Sequence, residues 1–275
     1  VAAGLRARLA AGPVGAYVIS VLDPSQIAAR QRQPILNVPP VITALAVAML
    51  VVQLARDFLD PDMGIEILAL FAFIPARYDP SLLADGVLPG GTAADAWTFV
   101  TYAFLHGSWT HVGLNLLWML AFGSPVAKRF GAMRFLAFFA VAAAAGAGLH
   151  LISHEGEMVP MIGASAAVSG CMAAAIRFMF AAEGREAWRP DFLGASVEFP
   201  APPLSVVMRD RRVISFVVVW FVINIAFGVM TATPDGSIAW EAHIGGFLVG
   251  LLLFPLFDPV SRHPDDRSVA RSRHG

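Results

Sequence analysis

A chain of 275 residues that is 57% hydrophobic and only 14% charged lies outside the range of soluble domains, whose charged fraction is roughly a quarter. Its net charge of −1 excludes a generally basic surface of the kind that binds nucleic acid. Its one cysteine, Cys171, excludes an intrachain disulfide and leaves the redox compartment open. The composition predicts an integral membrane protein.

Taken in chain order, residues 1–38 carry Arg6 and Arg8 beside an Ala/Gly run, without a sharp apolar core and cleavage site. They read as an unprocessed cytoplasmic segment, punctuated by Pro34, Pro39 and Pro40. Apolar runs follow at 40–55, 111–127, 135–152, 161–181, 213–230 and 239–257. These lengths roughly suit helices that need about 17–25 residues to cross hydrocarbon. The expected architecture is all-α: a polytopic membrane bundle of six transmembrane helices over 39–257. A shorter run, Ile65 to Ile74, ends at Pro75 and reads as interfacial or re-entrant. Residues 183–210, with Trp188 and four prolines among charges, read as a cytoplasmic connector, and 258–275 as a charged, disordered cytoplasmic tail.

Basic residues orient these spans. Arg30 and Arg32, Lys128, Arg129 and Arg134, and Arg209, Arg211 and Arg212 fall on one set of connections, and Arg177 is placed to snorkel to the same side. Only Arg56 and Arg77 lie between the first two spans, and 153–160 and 231–238 have no Lys or Arg. The positive-inside bias places both termini in the cytoplasm and the 56–110 loop outside.

With that orientation, spans two, four and six enter from the outer side and carry His111 and Asn115, Ser165, and His243 to one depth, with His106 just before them. Polar groups in hydrocarbon need a partner or a task. A serine hydroxyl is a weak nucleophile until a base takes its proton, and His243 is the best-placed base for Ser165. His111 and Asn115, four apart on one helix face, can donate with the Ser165 N–H to a developing oxyanion. The alternative for Ser165 and His243 is a small residue at a helix contact and a satisfied interior polar group, and for His111 and Asn115 interhelical hydrogen bonding that only holds the bundle together. His106 suits a structural role, fixing the loop through backbone. Gly246 and Gly250, and Ala166 and Gly170, recur at a spacing that lets helix backbones approach. His150, His154, Glu155 and Glu157 in HLISHEGE lack an H-E-x-x-H pattern and a defined three-ligand set, so the segment reads as a polar helix end and no metal or cofactor is expected.

These elements resemble the rhomboid family of intramembrane serine proteases. HGSWTHVGLN at 106–115 resembles the family's H-x4-H-x3-N element, GAS at 163–165 its G-x-S motif, and AHIGGFLVG at 242–250 its A-H-x2-G-x3-G final helix. The similarity covers about 95–257. It implies Ser165 as nucleophile and His243 as base. His111 and Asn115 would line the oxyanion hole, with His106 and Gly163 in support and Gly246 and Gly250 packing the last helix against the serine helix. The chain departs from the pattern in having Ala166 after the serine, Ser169 where many members stack a Tyr on the histidine, and Thr98 in place of an arginine after Trp97.

The implied function is hydrolysis of a peptide bond near the outer end of single-pass transmembrane proteins, with lipid as the surrounding partner, in a bacterial inner (cell) membrane. Loop 231–238 and the fifth span suit a movable gate, a role carried by the resemblance. The alternatives are a catalytically inactive rhomboid-like protein that binds transmembrane clients, and a transporter whose path the polar residues line.

Overall fold

The computed structural model describes residues 38–79, 81, 88–180, 200–230 and 238–260. The N-terminal lead, most of the 183–210 connector, nearly all of the 231–238 loop and the tail beyond Val260 lie outside the described residues. All described residues but Val38 belong to one compact unit.

The described elements are helical. Helix α1, Pro40–Asp57, starts on a proline, where the missing N–H costs no hydrogen bond. Helix α2, Pro61–Phe71, is capped by Asp60, whose carboxylate accepts from the Asp62 N–H. This is the short run expected to lie at the interface. After a 3₁₀ turn at Pro75–Tyr78 come α3, Gly91–Thr101, and a second turn at Tyr102–Phe104.

The expected second span is one apolar rod in three pieces: α4, Trp109–Trp118; a π segment, Met119–Gly123; and α5, Ser124–Phe130. Pro125 lacks the N–H that would continue the i→i−4 ladder, and the widened turn lies just before it. Helix α6, Ala132–Ser153, follows Gly131, whose φ of 76° ends α5. Helices α7, Ser165–Met179, α8, Arg211–Met230, and α9, Trp240–Leu252, complete the bundle.

Three of these helices, α1, α6 and α8, have 18, 22 and 20 residues and are apolar enough to cross a membrane; α7 and α9 are shorter apolar helices. The exposed faces agree with a lipid environment. Val47, Val51 and Leu54 on α1, and Val218, Val222, Phe227 and Val229 on α8, are exposed. Water tolerates no such continuous apolar face, and lipid does. The chain is an integral membrane protein.

Helices α6, α7 and α9 pack closest, through small residues. A methyl group at Gly246 would collide with the Ala166 carbonyl, and one at Gly250 with the Gly170 carbonyl. A Cβ at Gly245 would lie 2.5 Å from the Ala145 carbonyl oxygen, and one at Gly146 2.5 Å from the Ala166 Cβ. Backbone carbonyls cannot rotate away as a flexible side chain can. The seam therefore fixes the register of α9 on both neighbours.

At the far end of this seam, two buried arginines find acceptors. Arg129, on α5, donates from Nε and Nη2 to the two oxygens of Asp258 at 2.8 and 2.9 Å and lies over the Phe178 ring. Arg177 corrects the expectation of snorkelling. It is 4% exposed and donates to the Leu251 carbonyl at 2.6 Å, satisfying an acceptor in the last turn of α9.

Helix α8 is held differently. Trp220 stacks on Phe247 at 4.3 Å, and Val213 and Trp220 join Met172, Ala173 and Ile176 in an apolar cluster. Only 17% of its apolar stretch is buried within the protein.

Overpacking of this kind costs about 1–3 kcal/mol, so Gly246→Ala should lower the thermal midpoint of the detergent-solubilised protein. Gly148→Ala, where an added Cβ meets nothing within 4 Å, should leave the midpoint unchanged or raise it. Equal responses from the two variants would contradict the packing seam.

Candidate active site

The site begins in the four residues before α7. Phe73 and Met161 exchange backbone hydrogen bonds at 3.1 and 2.8 Å, and the Gly163 N–H donates to the Tyr102 carbonyl at 3.0 Å. Gly163 has a φ of 119°, a conformation L side chains rarely adopt. The next N–H, of Ala164, donates to His106 Nε2 at 3.4 Å. His106 is itself buried, and its carbonyl accepts from Arg56 at 2.7 Å. The chain is thus pinned on both sides up to the point where α7 starts with Ser165. Sequence reading had placed the helix from 161; the glycine turn delays it.

Ser165 Oγ lies 2.7 Å from His243 Nε2. The other ring nitrogen, Nδ1, lies 2.6 Å from Asn224 Oδ1 on α8. The Asn224 amide has a defined orientation, because its Nδ2 donates to the Trp220 carbonyl at 2.7 Å and leaves Oδ1 toward the histidine. An oxygen there requires that Nδ1 carry the proton. Nε2 then presents its lone pair to the Ser165 hydroxyl, the tautomer a general base needs.

His111 closes the other side. A Cβ at Gly163 would stand 2.7 Å from His111 Nε2 and 3.8 Å from Ser165 Oγ, so this ring nitrogen, Gly163 and the serine border one small space. The Gly107 N–H approaches His111 Nδ1 at 3.4 Å as donor, which leaves the proton on Nε2, facing that space. Ser108 caps α4 by accepting from the His111 N–H at 3.1 Å. Asn115 is buried one turn further on, its Nδ2 donating to the His111 carbonyl at 3.0 Å. The first N–H groups of α7 have no intrahelical acceptor and point toward the same end of the helix.

The structure therefore brings together Ser165, His243, His111 and Gly163, with His106 behind the serine turn. Asn115 shares the His111 face, its amide turned to its own helix. Gly246 and Gly250 lie along the seam. Ser169 is buried within α7. Thr98, at the position where the resemblance suggested a loop-bracing arginine, accepts or donates a hydrogen bond with Tyr78 at 3.0 Å. A different arginine braces that loop: Arg77 is buried, donates to the Ala69 and Pro89 carbonyls and pairs with Asp95.

Comparison with known sequences gives the family. Residues 93–258 match the family model described as Rhomboid domain. The chain belongs to the rhomboid family. It is similar to the rhomboid protease GlpG of Serratia proteamaculans (strain 568), with 28% identity over 157 residues, which cover 57% of this chain and 46% of that protein. The chain spans about half the length of this relative.

Asn224 is the site residue that sequence reading missed. No motif contains it, and a lone amide in an apolar run has no spacing to recognise. Its one signal was available: it is a polar side chain inside a membrane-length helix, and such residues need a partner.

His106 supplies a pH signature. Burial, with His111 beside it, lowers its imidazole from 6.5 to about 4, so the fold holds it neutral as acceptor for Ala164. The unfolded chain takes up this proton near pH 6.5 while the fold refuses it until about pH 4. Its contribution to stability is complete above pH 6.5 and declines as pH falls through that window. The thermal midpoint should fall more steeply between these pH values in the parent than in His106→Asn; parallel slopes would contradict the assignment.

Proposed function

We infer that this rhomboid is an intramembrane serine endopeptidase that cuts single-pass membrane proteins near the outer end of their transmembrane segment. One observation carries the reading: the 2.7 Å approach of Ser165 Oγ to a histidine nitrogen whose tautomer is set by Asn224. Family membership and the similarity to a rhomboid protease support it.

In this reading Ser165 Oγ attacks the scissile carbonyl carbon and passes its proton to His243 Nε2. The carbonyl oxygen becomes an oxyanion, met by His111 Nε2–H and the Ser165 N–H, with the Asn115 amide able to rotate from its helix carbonyl to join them. Collapse breaks the C–N bond as His243 returns the proton to the leaving amine. Water, deprotonated by His243, then attacks the acyl-serine, releasing the second product and restoring the serine hydroxyl.

The substrate helix must unwind locally first, because its carbonyls are otherwise engaged in the helix. Small or helix-breaking residues near the cut favour this. Helix α8 is the natural entrance, since it carries one hydrogen bond to the base, a small apolar contact through Trp220 and Val213, and an otherwise largely exposed surface. Its displacement would admit substrate and release His243 from Asn224, and its return would restore the base.

The topology belongs to the same reading. Six spans, formed by α1, the α4–α5 rod, α6, α7, α8 and α9, would make up a membrane domain over 39–257, with 1–38 and 258–275 as cytoplasmic extensions. The positive-inside bias supports cytoplasmic termini, and the Ala/Arg-rich composition supports a bacterial cell membrane. Helices α7 and α9, with 15 and 13 residues, are about 20 Å long at 1.5 Å per residue. They are shorter than the roughly 30 Å hydrocarbon core, so Ser165 and His243 would sit below the outer surface in a water-filled recess.

Cleavage of a labelled transmembrane substrate by purified protein tests the reading. Ser165→Ala and His243→Ala should each abolish it; cleavage surviving in both would sink the assignment, and no cleavage by the parent across several substrates would favour an inactive client-binding protein. Asn224→Ala should lower kcat about tenfold with little change in KM, the size expected for losing one charge-orienting hydrogen bond. Asn224→Asp, which keeps an acceptor for Nδ1–H, should recover much of this. A change confined to KM would assign Asn224 to substrate entry alone.

A further inference from the structure

The HLISHEGE segment acquires a third member from elsewhere in the fold. Helix α6 brings His150 into its last turn and His154 to its end, and the first turn of α9 brings Glu241 against them. One candidate ligand atom from each lies within 4.8 Å of the others. The two imidazoles, one helical turn apart, stack with centroids 4.2 Å apart.

One hydrogen bond fixes a lone pair within this group, and two of its buried polar atoms have none. His154 Nδ1 faces the His150 carbonyl at 3.3 Å, an acceptor that places the proton on Nδ1 and the lone pair on Nε2. That Nε2 lies 4.0 Å from Glu241 Oε1. His150 is 7% exposed, and its Nδ1 has no hydrogen-bond partner; Glu241 Oε2 is likewise buried without one. A buried carboxylate oxygen and a buried imidazole nitrogen left unsatisfied each carry a desolvation penalty. A backbone carbonyl behind a histidine, fixing its tautomer, is the usual support of a metal ligand.

We propose that His150, His154 and Glu241 form a binding site for a divalent transition metal of the zinc class, clamping the end of α6 to the start of α9. Two imidazoles and a carboxylate suit zinc and its neighbours, whereas the hard cations magnesium and calcium prefer all-oxygen sets. Ligands at about 2.0–2.2 Å from zinc must draw closer than the 4.8 Å spread, a movement that rotation of the Glu241 side chain would supply. The neighbouring Glu155 and Glu157 are exposed and take no part. Glu241 lies two residues before His243, so the clamp would secure the helix that carries the base without touching Ser165. The site stands independently of the proteolytic reading.

The test uses the full chain without an affinity tag, purified in detergent, stripped with chelator and dialysed against trace zinc chloride. Zinc content should approach one per chain, and zinc should raise the thermal midpoint. Cobalt(II) in its place should give the visible absorption of a tetrahedral site. His154→Ala and Glu241→Gln should each weaken zinc binding at least tenfold and abolish the zinc-dependent rise, while keeping the far-ultraviolet helical signal of the parent. His263→Ala, in the tail, should change neither. Zinc binding that is absent from the parent, or equal in the parent and both site variants, would overturn the proposal and leave His154 and Glu241 as a polar contact between the two helices.

Discussion

Everything at the candidate site depends on how closely α9 lies on α7. Inside a membrane no hydrophobic force draws helices together, so close contact needs surfaces shaped for it. Here the shape is the absence of side chains: Gly246 faces the Ala166 carbonyl and Gly250 the Gly170 carbonyl, with no room for a methyl group. Ser165 stands one residue before Ala166 and His243 three before Gly246, so the contact that fixes backbone register also sets a side-chain distance. A slip of one residue along either helix would turn its own member of the pair away by about 100°.

This rigid seam meets a looser element. Helices α6, α7 and α9 hold Ser165 and the backbone of His243, while the ring's tautomer rests on Asn224 from α8. Elsewhere α8 presents Val218, Val222 and Phe227 outward and engages the bundle mainly through Trp220 and Val213. His243 is therefore oriented by the least buried of the three membrane-length helices. Chemistry and access would be coupled: a displaced α8 opens the site while the histidine loses its orienting partner, so full basicity returns only on closure.

Much of the site was legible because glycine, serine and histidine recur in short patterns whose spacing has a mechanical reason. Ser165, His243, His111 and Gly163 are such residues, and the structure brings them into one space. What could not be read were contacts between segments far apart in sequence. Asn224 meets His243 across a loop, and Glu241 meets His150 and His154 across some ninety residues, where no periodicity links them. Arg177 was assigned to the membrane surface from its position near a helix end; an acceptor carbonyl at Leu251 and the Phe254 ring keep it inside. Boundaries were missed where single residues intervene: the Gly163 turn delays α7, and Pro125 follows the π segment that interrupts the second rod. The membrane-embedded character needed only the composition, and the all-α character the lengths of the apolar runs.

Helix packing would make Ser165 a reactive nucleophile by holding it against an oriented His243. A fluorophosphonate probe reads this directly, because it forms an adduct only with a serine whose proton a base can take. Mass spectrometry of the labelled, detergent-solubilised protein should find the adduct on Ser165 in the parent and find it lost in His243→Ala. An adduct on another residue, or labelling of Ser165 undiminished without His243, would contradict the account.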